Sequence, residues 1–231
     1  MLPIRDENPT RHFPIATLLL LIANLAAYGW EAAQAGSIIA PLGAPTLRAA
    51  VETFGVVPAR LSVLEGGPPG WPVLGPFLTL FTSTFLHGDL MHLLGNMLYL
   101  WIFGNNVEDV MGSFRFLGFY FTCGVVASLS QVAADPLSTL PMVGASGAIA
   151  GVLGAYLIRF PRARVLVLVW LFVFVRVVRI PALIVLGIWF VYQLLAAGRG
   201  GAAGIAWHAH VGGFVAGALL LHLFSSPRRR R

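Results

Sequence analysis

Lysine is absent from the chain, cysteine occurs once, and charged residues fill only 10% of its 231 positions. The single cysteine, Cys123, excludes an intramolecular disulfide and any cysteine-based metal cluster, leaving it the role of a small packing residue. So little charge, beside 58% hydrophobic residues and a mean hydropathy of +0.82, excludes an ordinary soluble domain. Lipid is the expected solvent. No internal repeat, low-complexity tract or second domain is visible, so residues 1–231 are expected to form one membrane-embedded domain. The formal charge of +6 does not imply nucleic acid, because the arginines flank apolar runs or form the terminal cluster Arg228 to Arg231. Complete use of arginine in place of lysine, with abundant Ala and Gly, points to a GC-rich bacterial genome and so to a bacterial inner membrane.

Apolar runs predict helices near 13–33, 90–104, 115–134, 142–160, 180–197 and 205–224, which makes the fold class an all-α polytopic membrane protein. The first run is longer than a usual signal-peptide core and lacks a clear small-x-small cleavage site before Glu31, so it is expected to be retained. A seventh run, VLVLVWLFVFV at 165–175, is short for a span and suits an interfacial or re-entrant piece. Charge decides between the two topologies. Six spans with an inside N-terminus put twelve arginines in the cytoplasm and three (48, 60 and 199) outside, whereas a seventh span would divide them almost evenly. The positive-inside rule selects six spans and cytoplasmic termini. The N-terminal stretch 1–12 and the basic tail 225–231 then face the cytoplasm, the tail meeting anionic headgroups. The long loop, 34–89, lies outside. Its GGPPGWP stretch at 66–72 argues against a regular helix there, while Phe54, Leu61, Leu64, Trp71, Phe77, Leu80 and Phe81 are apolar enough to rest in the interface.

Polar side chains inside lipid are costly and require a partner or a purpose. Ser146, His210, His92 and Asn96 stand out. The six-span topology runs the second, fourth and sixth helices inward from the outer face. Ser146 lies about four residues past a start near Met142, His210 about five past Ile205, and His92 three past an N-cap at Asp89, so at 1.5 Å per residue they share a layer to within roughly one turn. Small residues support close approach. Ser146, Ala150 and Gly154 form one row of the fourth helix, Gly147, Gly151 and Ala155 another, and Ala209, Gly213 and Gly217 line the sixth beside His210. A serine oxygen and an imidazole nitrogen must come within about 2.6–3.2 Å for proton transfer, and smooth helix faces make that possible. A metal site is not expected: no H-E-x-x-H occurs, and on a helix His208 and His210 point about 160° from parallel.

Taken in order, FLHGDLMHLLGNML (85–98), GNNVEDVMGSFRFLGFY (104–120), VGASGAIAGVLGAY (143–156) and WHAHVGGFVAG (207–217) resemble the signature segments of the rhomboid family of intramembrane serine proteases. The resemblance spans about 75–224. It implies a six-transmembrane-helix bundle whose active site opens outward and which cleaves single-span membrane proteins near the outer ends of their transmembrane segments, without a cofactor. By the same resemblance Ser146 corresponds to the nucleophile and His210 to its general base, a Ser–His dyad with the imidazole oriented by packing. His92 and Asn96, with the backbone N–H of Ser146, correspond to the oxyanion donors. His87, Gly144 and Gly147 are supporting residues, and Glu108 and Arg115 match a charged pair bracing the cytoplasmic turn after the second helix. The chain departs from the family pattern in carrying Ala150 where some members stack an aromatic ring on the histidine, and Trp71-Pro72 where a Trp-Arg pair is common. Trp189 and Phe190 are candidates for a lateral gate. Two other functions compete. A non-catalytic adaptor that binds transmembrane clients is disfavoured by retention of every dyad and oxyanion position, and a small transporter by the lack of midplane charges or paired broken helices.

Overall fold

The computed structural model describes residues 2–39, 44–62, 75–171, 174–199 and 204–225. In chain order the elements are β1 (Leu2–Asp6), α1 (Ile15–Ala35), α2 (Pro45–Phe54), α3 (Pro58–Ser62), α4 (Gly75–Thr82), α5 (Leu90–Tyr99), α6 (Asn105–Met111) and α7 (Ser113–Ala134). They are followed by α8 (Ser146–Arg159), β2 (Arg164–Leu171), β3 (Phe174–Pro181), α9 (Ala182–Gly198) and α10 (Trp207–Phe224). A π-helical turn at Leu100–Gly104 joins α5 to α6, so 90–111 is one continuous rod. All six apolar runs are therefore helical. Among the described residues α1, α7 and α10 are long and apolar enough to cross a membrane, and α8 and α9 are shorter apolar helices.

The centre of the bundle is α8, buried from Ala148 to Tyr156 without a break, as befits a helix that is apolar all round. It packs against α7, α9, α10 and the 90–111 rod. Its 14 residues span about 21 Å at 1.5 Å per residue, short of the roughly 30 Å of a hydrocarbon core. Protein neighbours surround it, so no lipid mismatch arises. Cys123 is buried on α7 and takes the packing role expected of it, with its Sγ 2.6 Å from where a Cβ on Gly151 would stand.

The start of α1 is closed by a side chain from elsewhere in the chain. The first backbone N–H groups of a helix have no partner within it. At α1 the Glu108 carboxylate supplies one: it accepts from Ala16 N at 2.9 Å, Thr17 N at 2.8 Å and Thr17 Oγ1 at 2.7 Å. Ser113 Oγ donates to the same carboxylate at 2.6 Å. Negative charge at a helix N-terminus also suits the macrodipole. Arg115 donates to Ser225 O at 3.3 Å, so Glu108 and Arg115 both brace this end of the bundle, one through the start of α1 and the other through the end of α10.

Two expectations are corrected. The described residues of the 165–175 run are extended strand, which an all-α fold does not contain. It forms most of an antiparallel hairpin, β2–β3, and β1 adds to its outer edge in the order β1-β2-β3. This three-stranded sheet departs from an all-α fold. Its valines alternate as a strand requires, with Val165 and Val167 fully buried against the helix ends, and the ladder satisfies the backbone of a run too short to span. Tyr156 Oη donates to Asp6 Oδ2 at 2.7 Å and Arg179 pairs with Glu7 at 2.8 Å, which tie the sheet down. Burial pushes the Asp6 carboxyl up, and the Tyr156 hydroxyl offsets part of that.

The second correction is the start of α8. It begins at Ser146, four residues later than expected, because Met142 forms an isolated antiparallel bridge with Val56 and Gly144 adopts φ +122°. The 34–89 loop contributes helices of its own to the fold. It contains α2, α3 and α4, and Val56, Leu61 and Leu80 form a small core with Val132 of α7. The 66–72 stretch, Leu64, the Trp71-Pro72 pair and tail residues 226–231 lie outside the described residues.

Candidate active site

The N-terminal ends of α5, α8 and α10 gather at the end of the bundle opposite the sheet. Ser146, His210 and His92 each enter by the first turn of a helix, and Asn96 follows one turn after His92 on α5. Ser146 is the first residue of α8 and His210 the fourth of α10, so the Ser146 backbone N–H is one of the donors its helix cannot use. His92 is the third residue of α5, whose N-cap is Asp89: the Asp89 carboxylate accepts from His92 N at 2.8 Å.

His210 Nε2 lies 2.8 Å from Ser146 Oγ. Glycine makes the approach possible. A Cβ on Gly213 would collide with the Gly147 carbonyl, one on Gly217 with that of Gly151, and one on Gly154 with that of Phe214. The backbones of α8 and α10 are thus in contact along two turns, the packing that small residues permit in membranes. Gly147 also faces α7, where a Cβ would come 2.7 Å from that of Ala127.

His92 and Asn96 share one face of α5 and border the same space. His92 Nδ1 accepts from Gly88 N at 3.4 Å, and the far side of its ring faces Gly144, where a Cβ would be 2.7 Å from Cε1 and Nε2. Asn96 is 7% exposed, and its Nδ2 has no partner among the described residues. Gly144 is required on two counts, its positive φ and the imidazole against it. Gly144→Ala is expected to cost about 1–3 kcal/mol of stability through backbone strain and to push His92 out of line. A lowered thermal midpoint is the expected readout.

His87 supports its neighbour. Its ring meets that of His92 edge-on at 5.1 Å between centroids, its backbone N–H donates to the Glu31 carboxylate at 3.2 and 3.3 Å, and its Nδ1 lies 3.2 Å from Phe85 O. Ser146, His210, His92 and Asn96 together line an open cleft of about 1000 Å³, with Trp189, Gln193 and Trp207 on its other wall. Phe190 faces away from it and stacks on Phe214 at 4.3 Å. Among the described residues no three His, Cys, Asp or Glu side chains converge as metal ligands would.

Sequence reasoning missed what holds the imidazole. The Trp189 ring lies 6.1 Å from that of His210 at 39°, and Trp207 meets it edge-on at 6.2 Å, so two rings flank the imidazole where Ala150 supplies none. The second miss is Gln193, whose Oε1 is 2.8 Å from His210 Nδ1. The signal was present: Gln193 is a polar side chain inside an apolar run, the same criterion that singled out Ser146 and Asn96. Glu31, fully buried in α1, carries the same signal.

A rhomboid domain profile matches residues 75–227. Rhomboid protein 1, mitochondrial, of Saccharomyces cerevisiae is 32% identical over 151 residues, covering 62% of this chain and 40% of that protein. Rhomboid protease GluP of Bacillus subtilis is 42% identical over 83 residues, 36% of this chain and 16% of its own length. Presenilin-associated rhomboid-like protein, mitochondrial, of Homo sapiens is 33% identical over 90 residues, 37% of this chain and 23% of the relative. The matches therefore span well under half the length of these relatives.

Proposed function

The chain belongs to the rhomboid family of membrane proteins, and from that membership we propose that it is an intramembrane serine endopeptidase with Ser146 as nucleophile and His210 as base. The observation that carries the proposal is the 2.8 Å contact between Oγ and Nε2, inside the range for proton transfer. Six spans with both termini in the cytoplasm of a bacterial cell, and single-span membrane proteins as substrates, complete the reading. The arginine distribution supports this orientation: Arg5, Arg115, Arg164 and Arg179 all belong to the sheet end of the bundle, the end away from the cleft.

A peptide bond in a regular helix hides its carbonyl in backbone hydrogen bonds, so the substrate must open near its outer end before attack. Ser146 Oγ adds to the exposed carbonyl carbon while its proton passes to His210 Nε2. The negative charge on the former carbonyl oxygen faces the Ser146 N–H, His92 and Asn96 Nδ2. The imidazolium then protonates the leaving amine, the C–N bond breaks, and an ester to Ser146 remains. Water entering by the cleft gives a proton to His210, attacks the ester, and restores the serine. An unpartnered, buried Asn96 Nδ2 supports the oxyanion assignment, because a buried donor without an acceptor is costly unless a later state supplies one. Asn96→Ala is expected to lower kcat about 10²- to 10³-fold with little change in KM, read by steady-state hydrolysis.

The proposal is tested by incubating purified protein in proteoliposomes with a panel of single-span proteins and identifying products by mass spectrometry. Cleavage near the outer end of a transmembrane segment is expected. An intact panel, with no labelling by a fluorophosphonate, would instead favour an adaptor that binds transmembrane clients.

A further inference from the structure

We propose that Gln193 is a positioning residue that sets the tautomer of His210, an inference that rests on the proteolytic reading above. A neutral imidazole carries one N–H, and its other nitrogen accepts. His210 can take the Ser146 proton on Nε2 only when its own proton sits on Nδ1. The group facing Nδ1, at 2.8 Å, is the Gln193 carbonyl oxygen. That oxygen accepts and cannot donate. The pair is therefore satisfied only by Nδ1–H donating to Oε1, which leaves the Nε2 lone pair directed at Ser146 Oγ.

The surroundings hold this arrangement in place. Gln193 is 5% exposed, so bulk water competes poorly for either partner. It lies four residues after Trp189 on α9, hence on the same face, and the Trp189 ring flanks the imidazole at 6.1 Å. One face of α9 thus supplies both an acceptor and a wall. In soluble serine hydrolases a carboxylate orients the histidine. An ionised carboxylate within the bilayer is expensive, and a neutral amide orients the ring without burying a charge. When the Ser146 proton reaches Nε2 the ring becomes cationic, and the Nδ1–H to Oε1 bond becomes charge-assisted and shorter. The contact therefore strengthens between ground state and transition state, which places its effect on kcat and not on KM.

The test compares Gln193→Met, which keeps length and volume but removes the oxygen, with Gln193→Glu, which keeps an oxygen able to accept. Full-length protein and a fluorogenic transmembrane substrate are used, with thermal midpoints measured for each variant. Gln193→Met is expected to lower kcat about 10- to 100-fold with KM within about twofold, and Gln193→Glu to recover most of the loss. A folded Gln193→Met variant with wild-type kcat, or a folded Gln193→Glu variant as slow as Gln193→Met at a pH where its carboxylate is ionised and can only accept, would overturn the proposal. A second readout is independent of how any Gln193 variant folds: the ring ¹⁵N spectrum of histidine-labelled wild type, with the His210 signals assigned by their loss in His210→Ala. Protonation at Nδ1 is expected, and protonation at Nε2 overturns the assignment. If Ser146→Ala hydrolyses substrate like wild type, the proteolytic reading fails, while the ¹⁵N spectrum still decides the tautomer.

Discussion

Ser146→Ala is expected to abolish both hydrolysis of transmembrane substrates and labelling by a fluorophosphonate, a loss of at least about 10⁴-fold. The fold should survive. The substitution removes one hydroxyl at the first position of α8, and losing its hydrogen bond to His210 costs about 1 kcal/mol, small beside the burial of α8. A second serine provides the contrast. Ser130 Oγ donates to Val126 O, four residues back on its own helix, at 2.8 Å, the usual fate of a membrane serine. Ser130→Ala keeps the Cβ that packs against Gly212 of α10 and loses only a hydrogen bond within its own helix, so labelling is expected to stay within about twofold of wild type. Labelling of the Ser146→Ala protein at the wild-type rate would remove the nucleophile from the mechanism.

The second large effect lies two turns of α10 below the histidine. Gly217 faces the Gly151 backbone, and an added Cβ would collide with the carbonyl oxygen, its carbon and the Cα, none of which can swing aside as a flexible side-chain end would. Gly217→Ala must therefore push α8 and α10 apart. Proton transfer tolerates about 2.6–3.2 Å, and the Ser146 to His210 distance of 2.8 Å leaves only a few tenths of an ångström. A displacement of about 1 Å at a reacting pair can cost about 10²-fold, and forcing a methyl into a packed interface costs about 1–3 kcal/mol. Hydrolysis and thermal midpoint are both expected to drop. Gly187 on α9 is the control: a Cβ there meets nothing within 4 Å, so Gly187→Ala should be neutral or slightly stabilising, as alanine is the better helix former by about 1 kcal/mol. Equal effects at the two positions would mean that contact between α8 and α10 does not align the pair.

Much of this site was legible before any coordinates. The rows Gly147–Gly151 and Gly213–Gly217 announce helices that touch, and polar residues near helix starts announce a shared depth. The helix boundaries were less legible. A run of Met, Val, Gly and Ala before Ser146 reads as a continuing helix, and only the bridge from Val56, some eighty residues away, holds Met142 in extended form. The hairpin escaped for a related reason, because an unbroken apolar run carries no helical or strand period until its neighbours establish which face is buried. The Glu108 carboxylate makes four short contacts, to Ala16, Thr17 and Ser113, that no local pattern announces. Two of those residues come from a helix some ninety positions earlier.

What the sequence determined by itself is the solvent, the placing of the apolar runs that become helices, and the shared depth of a serine and a histidine. Each follows from composition or from spacing along one helix, where a fixed rise and turn convert position into depth and face. The tertiary structure decided which groups complete the site. Gln193 reaches His210 because α9 is rotated so that one of its faces meets α10, and that rotation is set by packing across many side chains at once. Hydrogen bonds between helices depend on such rotations to within a few tenths of an ångström, a precision that no local pattern encodes.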